Sequence, residues 1–454
     1  MAAQSTGATL LGAGAREAVF SHMSFVPKSV STTAGSSSHA TGTRSSRHAV
    51  STGASGAAMN FAIICVPQGA ASAVFTGDSN VTTCGLQGTA TNVWWGAVSL
   101  SAASSAWPMG VCGSSRPFIA RMGTEERGHS LQNLSCGYRG QASWSRPISS
   151  AAPGQLAGEG ALSLDDTVEQ WLPGVVSGNG NDGSLITIRQ LLQHTSGIYN
   201  YTGPAEPDGP DPKPALAVLR SADEYMQHRL DHMDAEELAA LAMQHKPDFD
   251  PGAQWSYSNT NYVLAGMIIE RATGNHWSEE VEARILDPLG LDSTFEPGDE
   301  PELPAPHAVA YQQYEVGGPL IDVTIANHTM AGAAGSLVTT TADLARFWRA
   351  LTEGSLLDPE QMAELHETVP APAFDPIAPG TEYGLGIMWI PTSCGGGYWS
   401  HAGGTLGYST RNAASGDGSR VLVMSLSTST DDPEASYATV IDTFEIIDQL
   451  MCAD

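Results

Sequence analysis

A phenol and a carboxamide stand two positions apart in Tyr257-Ser258-Asn259, where the turn-rich Asp250-Pro251-Gly252 gives way to an apolar helical run. At a helix mouth two such groups can face one cleft. The phenol can move a proton, and the carboxamide can hold a substrate amide. Two further segments carry chemistry-capable residues. His401-Ala402-Gly403-Gly404-Thr405 precedes a strand-like stretch, and its glycine pair also fits a tight turn. In His194-Thr195-Ser196-Gly197, Thr195 and Ser196 read as ordinary turn and cap residues. Taken singly, each segment is a weak signal, because short motifs recur by chance. His194 and His401 are isolated from carboxylates in the sequence, so no metal site is expected, and no organic cofactor is implied.

The elements that must position these residues are legible from about Gln155 onward. Leu162-Ser163-Leu164-Asp165-Asp166 opens a predicted helix, with acids in its first turn, that stops at Leu172-Pro173-Gly174. A short helix covers Ile186–Leu192, and another covers Ala235–Gln244. Tyr262, Ala265, Met267, Ile268 and Ile269 mark the apolar side of a helix closing at Thr273-Gly274. Thr340-Thr341-Ala342-Asp343 is an N-cap signal for a helix over Leu344–Leu351. Strand-like stretches follow at Tyr383–Trp389, Tyr408–Asn412 and Val421–Leu426, and a last helix covers Tyr437–Leu450. Helices in the middle and strands at the end predict an α+β body with a helical insert.

Composition divides the chain. Residues 1–150 hold four acids against nine Arg/Lys, a net of +5, and the remaining 44 acids and 11 bases give −33 over residues 151–454. The first part is rich in Ser, Ala, Gly and Thr, and Ser31–Ser55 is close to low complexity, which predicts disorder. Phe61–Val66 could form a strand, although little alternation supports a sheet there. We therefore expect residues 1–154 to be a disordered or aberrant N-terminal region and residues 155–454 to be the folded domain. The overall charge of −28 argues against nucleic acid as a partner. No run of about 18 apolar residues predicts a membrane span. No convincing signal peptide is present. Of the six cysteines four lie in the first part, none has metal-ligand spacing, and the pairing stays open.

The order of the motifs narrows the reading. Leu162-Ser163-Leu164-Asp165-Asp166, His194-Thr195-Ser196-Gly197, Tyr257-Ser258-Asn259, Ala333–Val338 before Thr340–Phe347, Tyr383-Gly384-Leu385-Gly386 and His401-Ala402-Gly403 together resemble the serine β-lactamase-related family. That family includes D-alanyl-D-alanine carboxypeptidases, class C β-lactamases, D-aminopeptidases and related esterases. The resemblance covers about residues 155–454. It implies an antiparallel sheet flanked by helices, an all-helical lobe at about 195–330, and a cleft between them. It also implies a serine that forms an acyl-enzyme with a D-amino-acid peptide, a β-lactam or a small ester, in a monomer that takes a small-molecule or peptide substrate. Relatives are often secreted or periplasmic. By the same resemblance Tyr257 would relay the proton and Asn259 would bind the substrate amide. His401, Gly403, Gly404 and Thr405 would line the sheet edge, with the Gly404 N–H as one oxyanion donor.

One part of the pattern is missing. The family's nucleophile lies in a Ser-x-x-Lys motif. The residues three before Lys28, Lys213 and Lys246, the only lysines, are Phe25, Pro210 and Met243. Counting back from Leu162 to the motif's usual place lands on Ser143-Trp144-Ser145-Arg146, with Ser143 at the nucleophile's position and Arg146 at the lysine's. An arginine stays protonated and cannot act as a base, though its charge can help a tyrosine ionise. Tyrosine titrates near 10, so working at pH 7 needs about three units of help, or about 4 kcal/mol. Pro147, Pro153 and Gly154 are expected to break the helix that should carry Ser143. These departures suggest that residues 1–154 are not the family's own N-terminal sequence, as a reading-frame change or a fusion would produce. They also raise a second reading, a catalytically inactive relative that binds a ligand or partner.

Overall fold

Val421–Leu426 is a continuous apolar run, and it lies at the heart of the molecule. The computed structural model describes residues 61–65, 140–141, 145–203, 216 and 218–453. Among these, one antiparallel sheet has eight strands: β1 (Phe61–Cys65), β2 (Val369–Pro370), β3 (Glu382–Tyr383), β4 (Met388–Pro391), β5 (Gly397–Ser400), β6 (Gly403–Thr405), β7 (Tyr408–Ser415) and β8 (Val421–Leu426). Their spatial order is β1-β8-β7-β5-β4-β3-β2, and β6 pairs with the start of β7. β7 and β8 are nearly continuously buried, as strands covered on both faces must be.

Two strand expectations change. Tyr383–Trp389 is not one strand, because Gly384-Leu385-Gly386 interrupts it. A Cβ on Gly384 would stand 2.3 Å from the Leu365 carbonyl oxygen, and Gly386 has φ +76° and donates its N–H to the Leu192 carbonyl at 3.0 Å. Phe61–Cys65 does form a strand, in register with Leu422–Leu426. An apolar run without alternation carries no period-2 signal, which is why this strand was only weakly legible.

The helices that matter for the site are α1 (Ser145–Gly158), α2 (Ile188–Leu192), α3 (Ala235–Ala242), α4 (Asn259–Thr273), α5 (Thr341–Thr352) and α6 (Pro433–Met451). α4 is buried at every position from Thr260 to Ile269 and forms the axis of the helical lobe, with α1, α2 and α3 packed on it. Gly274, in the left-handed region at φ +81°, terminates it. Thr340 caps α5 by accepting the Asp343 N–H. The predicted helix at Leu162–Asp166 starts later, at Val168, after a Thr167 cap.

α1 overturns the expectation that prolines would break the chain here. It runs unbroken through Pro147 and Pro153 and crosses residue 155, where the composition changes. Pro147 lies in the first turn, where the missing N–H costs nothing. Pro153 does forgo a helical hydrogen bond, but Ile148, Ala151, Ala152 and Leu156 are buried in the core and hold the helix. Among the described residues no helix is long and apolar enough to cross a membrane.

Candidate active site

Tyr257 sits just outside α4, with Ser258 as the extended N-cap residue and Asn259 as the first helical residue. This geometry turns the two side chains together. The Tyr257 hydroxyl donates to Asn259 Oδ1 at 3.3 Å. The other end of that carboxamide donates from Nδ2 to Thr202 Oγ1 at 2.8 Å, and the Asn259 N–H reaches Asn200 Oδ1 at 3.0 Å. Both ends of the Asn259 side chain are thus engaged.

The His194-Thr195-Ser196-Gly197 segment is the wall on which this arrangement rests. His194, fully buried, has a left-handed backbone with φ +59°. Its ring lies 4.2 Å from that of Tyr257, and Tyr262 and Tyr383 close around it at 5.1 and 4.9 Å. The Ser258 N–H donates to His194 Nδ1 at 3.2 Å. Asn261 Nδ2 approaches the same atom at 3.0 Å, its amide oriented because Oδ1 accepts the Ser196 hydroxyl at 2.8 Å. Two donors on Nδ1 make it the acceptor, so the neutral ring carries its proton on Nε2. Ser196 therefore does more than cap a turn. Gly197 has φ +75°, and a Cβ there would stand 2.1 Å from the Phe249 carbonyl oxygen, so only glycine fits.

The third segment approaches from the sheet. The His401 N–H donates to Asn412 Oδ1 at 3.2 Å, and Asn412 Nδ2 donates back to the His401 carbonyl, which clamps the turn between β5 and β6 onto β7. His401 Nδ1 lies 2.7 Å from the Ala402 carbonyl, which can only accept, so Nδ1 carries a proton. In the neutral ring Nε2 is then an acceptor. It meets the Tyr383 hydroxyl at 3.0 Å and the Tyr262 hydroxyl at 3.4 Å, and those hydroxyls are 2.8 Å apart. A neutral His401 accordingly offers no N–H toward the cleft. The Tyr257 and His401 rings are 6.2 Å apart. Gly403, Gly404 and Thr405 form β6 on the edge of β7, opposite Thr410, Ser409 and Tyr408.

The structure thus brings Tyr257, Asn259, His401 and β6 to one place. Ser143 lies outside the described residues, and Arg146 belongs to the first turn of α1. The roles of His194, Tyr262, Tyr383 and Asn412 were missed by sequence reasoning. Tyr262 was read as part of an apolar face, yet a buried tyrosine hydroxyl needs a partner, and that requirement was the available signal.

An antiparallel sheet carrying a His-x-Gly edge, faced by a helical lobe that presents Tyr-x-Asn, defines the β-lactamase/transpeptidase-like class of fold. The Beta-lactamase family model matches residues 141–442, and the chain belongs to that family. Penicillin-binding protein 4* of Bacillus subtilis (strain 168) is 27% identical over 310 residues, 65% of this chain and 62% of that relative's length. The chain therefore spans less than two thirds of that curated relative. Among solved structures, a D-stereospecific amidohydrolase from Streptomyces sp. is 41% identical with a TM-score of 0.59, covering 65% of this chain and 83% of the other. D-amino acid amidase from Ochrobactrum anthropi SV3, at 24% identity and TM-score 0.57 over 70% and 84% of the two chains, shares the fold.

Proposed function

We propose that this chain is a serine hydrolase that cleaves an amide of a D-configured amino acid through an acyl-enzyme. The observation that carries the reading is the convergence of Tyr257, Asn259 and His401 at the junction of α4 and β6, in a chain 41% identical to a D-stereospecific amidohydrolase. In this reading Ser143 Oγ attacks the substrate carbonyl, and Tyr257 takes the serine's proton and delivers it to the leaving amine. The backbone N–H groups of Ser143 and Gly404 hold the oxyanion. Asn259 binds the substrate's amide through its carboxamide. Water then attacks the acyl-enzyme and releases the free acid. Arg146 is the cation that helps Tyr257 ionise.

One observation favours a second reading. Without Ser-x-x-Lys, the chain would keep the cleft and bind a D-amino-acid amide without turning it over. Intact mass after exposure to a fluorophosphonate, together with turnover of a D-phenylalanine anilide, separates the two. A single adduct that Ser143→Ala removes supports the hydrolase, and Tyr257→Phe should then cut turnover by roughly 10²–10⁴-fold, the range for a general acid–base group. Absence of both adduct and turnover would leave only the binding reading.

A further inference from the structure

Neighbouring residues of a strand point to opposite faces of the sheet. On β7, Asn412 serves His401, and Arg411 points the other way, into a cleft bounded by the end of β8, by β9 (Thr428–Thr430) and by α6. Arg411 is 5% exposed. Its Nη1 donates to Ser409 Oγ at 2.7 Å, to the Thr410 carbonyl at 3.0 Å and, at 3.4 Å, to the carbonyl of Gly403 on β6. Its Nε has no hydrogen-bond partner, and neither does Thr428 Oγ1 on the same cleft. No carboxylate pairs with the guanidinium among the described residues. Burial lowers its pKa to about 10, which leaves it charged at neutral pH.

A buried, unpaired guanidinium is costly, and such a group is ordinarily matched by a carboxylate or another oxoanion. The cleft is partly open to solvent. Leu426, which lies opposite Ser409 in the strand register, and Val440 of α6 give it aliphatic walls, while Thr428 and Thr439 add hydroxyls. A cation and hydroxyls at the floor with aliphatic walls above complement a short alkyl carboxylate rather than a bare inorganic anion. We propose that the cleft between the sheet and α6 binds a short aliphatic carboxylate, its charge matched by the Arg411 guanidinium beside Thr428 and its chain against Leu426 and Val440. The proposal stands whichever reading of the cleft around Tyr257 holds.

Butyrate is the probe. The full chain is titrated with sodium butyrate, with butyramide and with sodium chloride at matched ionic strength. Binding is read by saturation-transfer NMR on the ligand methyl group and by the thermal midpoint. The expected result is saturable one-to-one binding and an upward midpoint shift with butyrate alone. Arg411→Met, close in length and apolar, should lose affinity by about tenfold or more, and Thr428→Val should weaken it less, the ordinary consequence of deleting a charge-assisted and a neutral hydrogen bond. If Arg411→Met does not fold, Thr428→Val decides. Butyrate that does not saturate, butyramide that binds as well as butyrate, or unchanged affinity in Thr428→Val would each overturn the proposal.

Discussion

Tyr257 and Asn259 meet because the residues on either side of the extended N-cap Ser258 turn toward the same side. That pairing is local, so the sequence spacing was enough to reveal it. The Tyr262–Tyr383–His401 cluster is assembled from α4, β3 and the turn after β5, and no spacing could show it. Its energetics are open to test. Tyr383→Phe withdraws the hydroxyl that faces both His401 Nε2 and Tyr262, and should cost about 1–3 kcal/mol, the usual consequence of disturbing a buried hydrogen-bonded group. Tyr262→Phe combined with it should be non-additive by about 0.5 kcal/mol or more in denaturant unfolding, and strict additivity would show that the two hydroxyls act independently. Glu296 tests a second buried group. Burial raises its carboxyl to about 7, against the opposing effect of the Ser336 hydroxyl. A carboxyl raised on folding favours the protonated form, so its contribution to stability is fully present below the unfolded value and is lost as pH rises from about 4.5 to about 7. Part of the residue's surface remains accessible, which screens the effect. Glu296→Gln should therefore gain about 1–2 kcal/mol over the wild type at pH 8 and little at pH 4, read from thermal midpoints. Equal differences at both pH values would exclude the effect.

At the scale of elements, two helices decide the geometry of the site. α4 runs so close to the Gly332–Ala334 turn that a Cβ on Gly266 would stand 2.6 Å from Ala333 Cβ. Alanine is a better helix former than glycine by about 1 kcal/mol. Gly266→Ala should nonetheless destabilise the protein, by about 1–3 kcal/mol, because neither backbone can yield without moving the core. A raised thermal midpoint would refute the close approach. α1 shows where sequence logic reached its limit. Pro153 carried a valid local penalty, but the helix is held by tertiary burial, which a local reading does not contain. α4 and α5 were legible from their cap and stop residues, and β8 from its apolar run, all of which agree with their burial. The break at Gly384-Leu385-Gly386 depends on contacts with Leu365 and Leu192, which only the folded chain brings near.

At the scale of the whole molecule, the stretch from β5 to α6 is closed covalently. Cys394, between β4 and β5, pairs with Cys452 at the end of α6, 58 residues away, a pairing that cysteine spacing left open. Ser393 reinforces the junction by donating its N–H to Asp448 at 2.8 Å. The chain-entropy relation for a closed loop of this size gives a stabilisation of about 4 kcal/mol. Replacing both cysteines with serine should lower the guanidinium midpoint accordingly, and wild-type protein unfolded in dithiothreitol should match the double variant. Identical midpoints with and without reductant would rule the bond out. The bond also makes the stretch from β5 to α6 a covalent ring that contains His401, β6 and Arg411. A single protease cut between the exposed Gly416 and Asp417 would therefore release neither fragment. The nicked chain should run as one band on a non-reducing gel and as two after reduction.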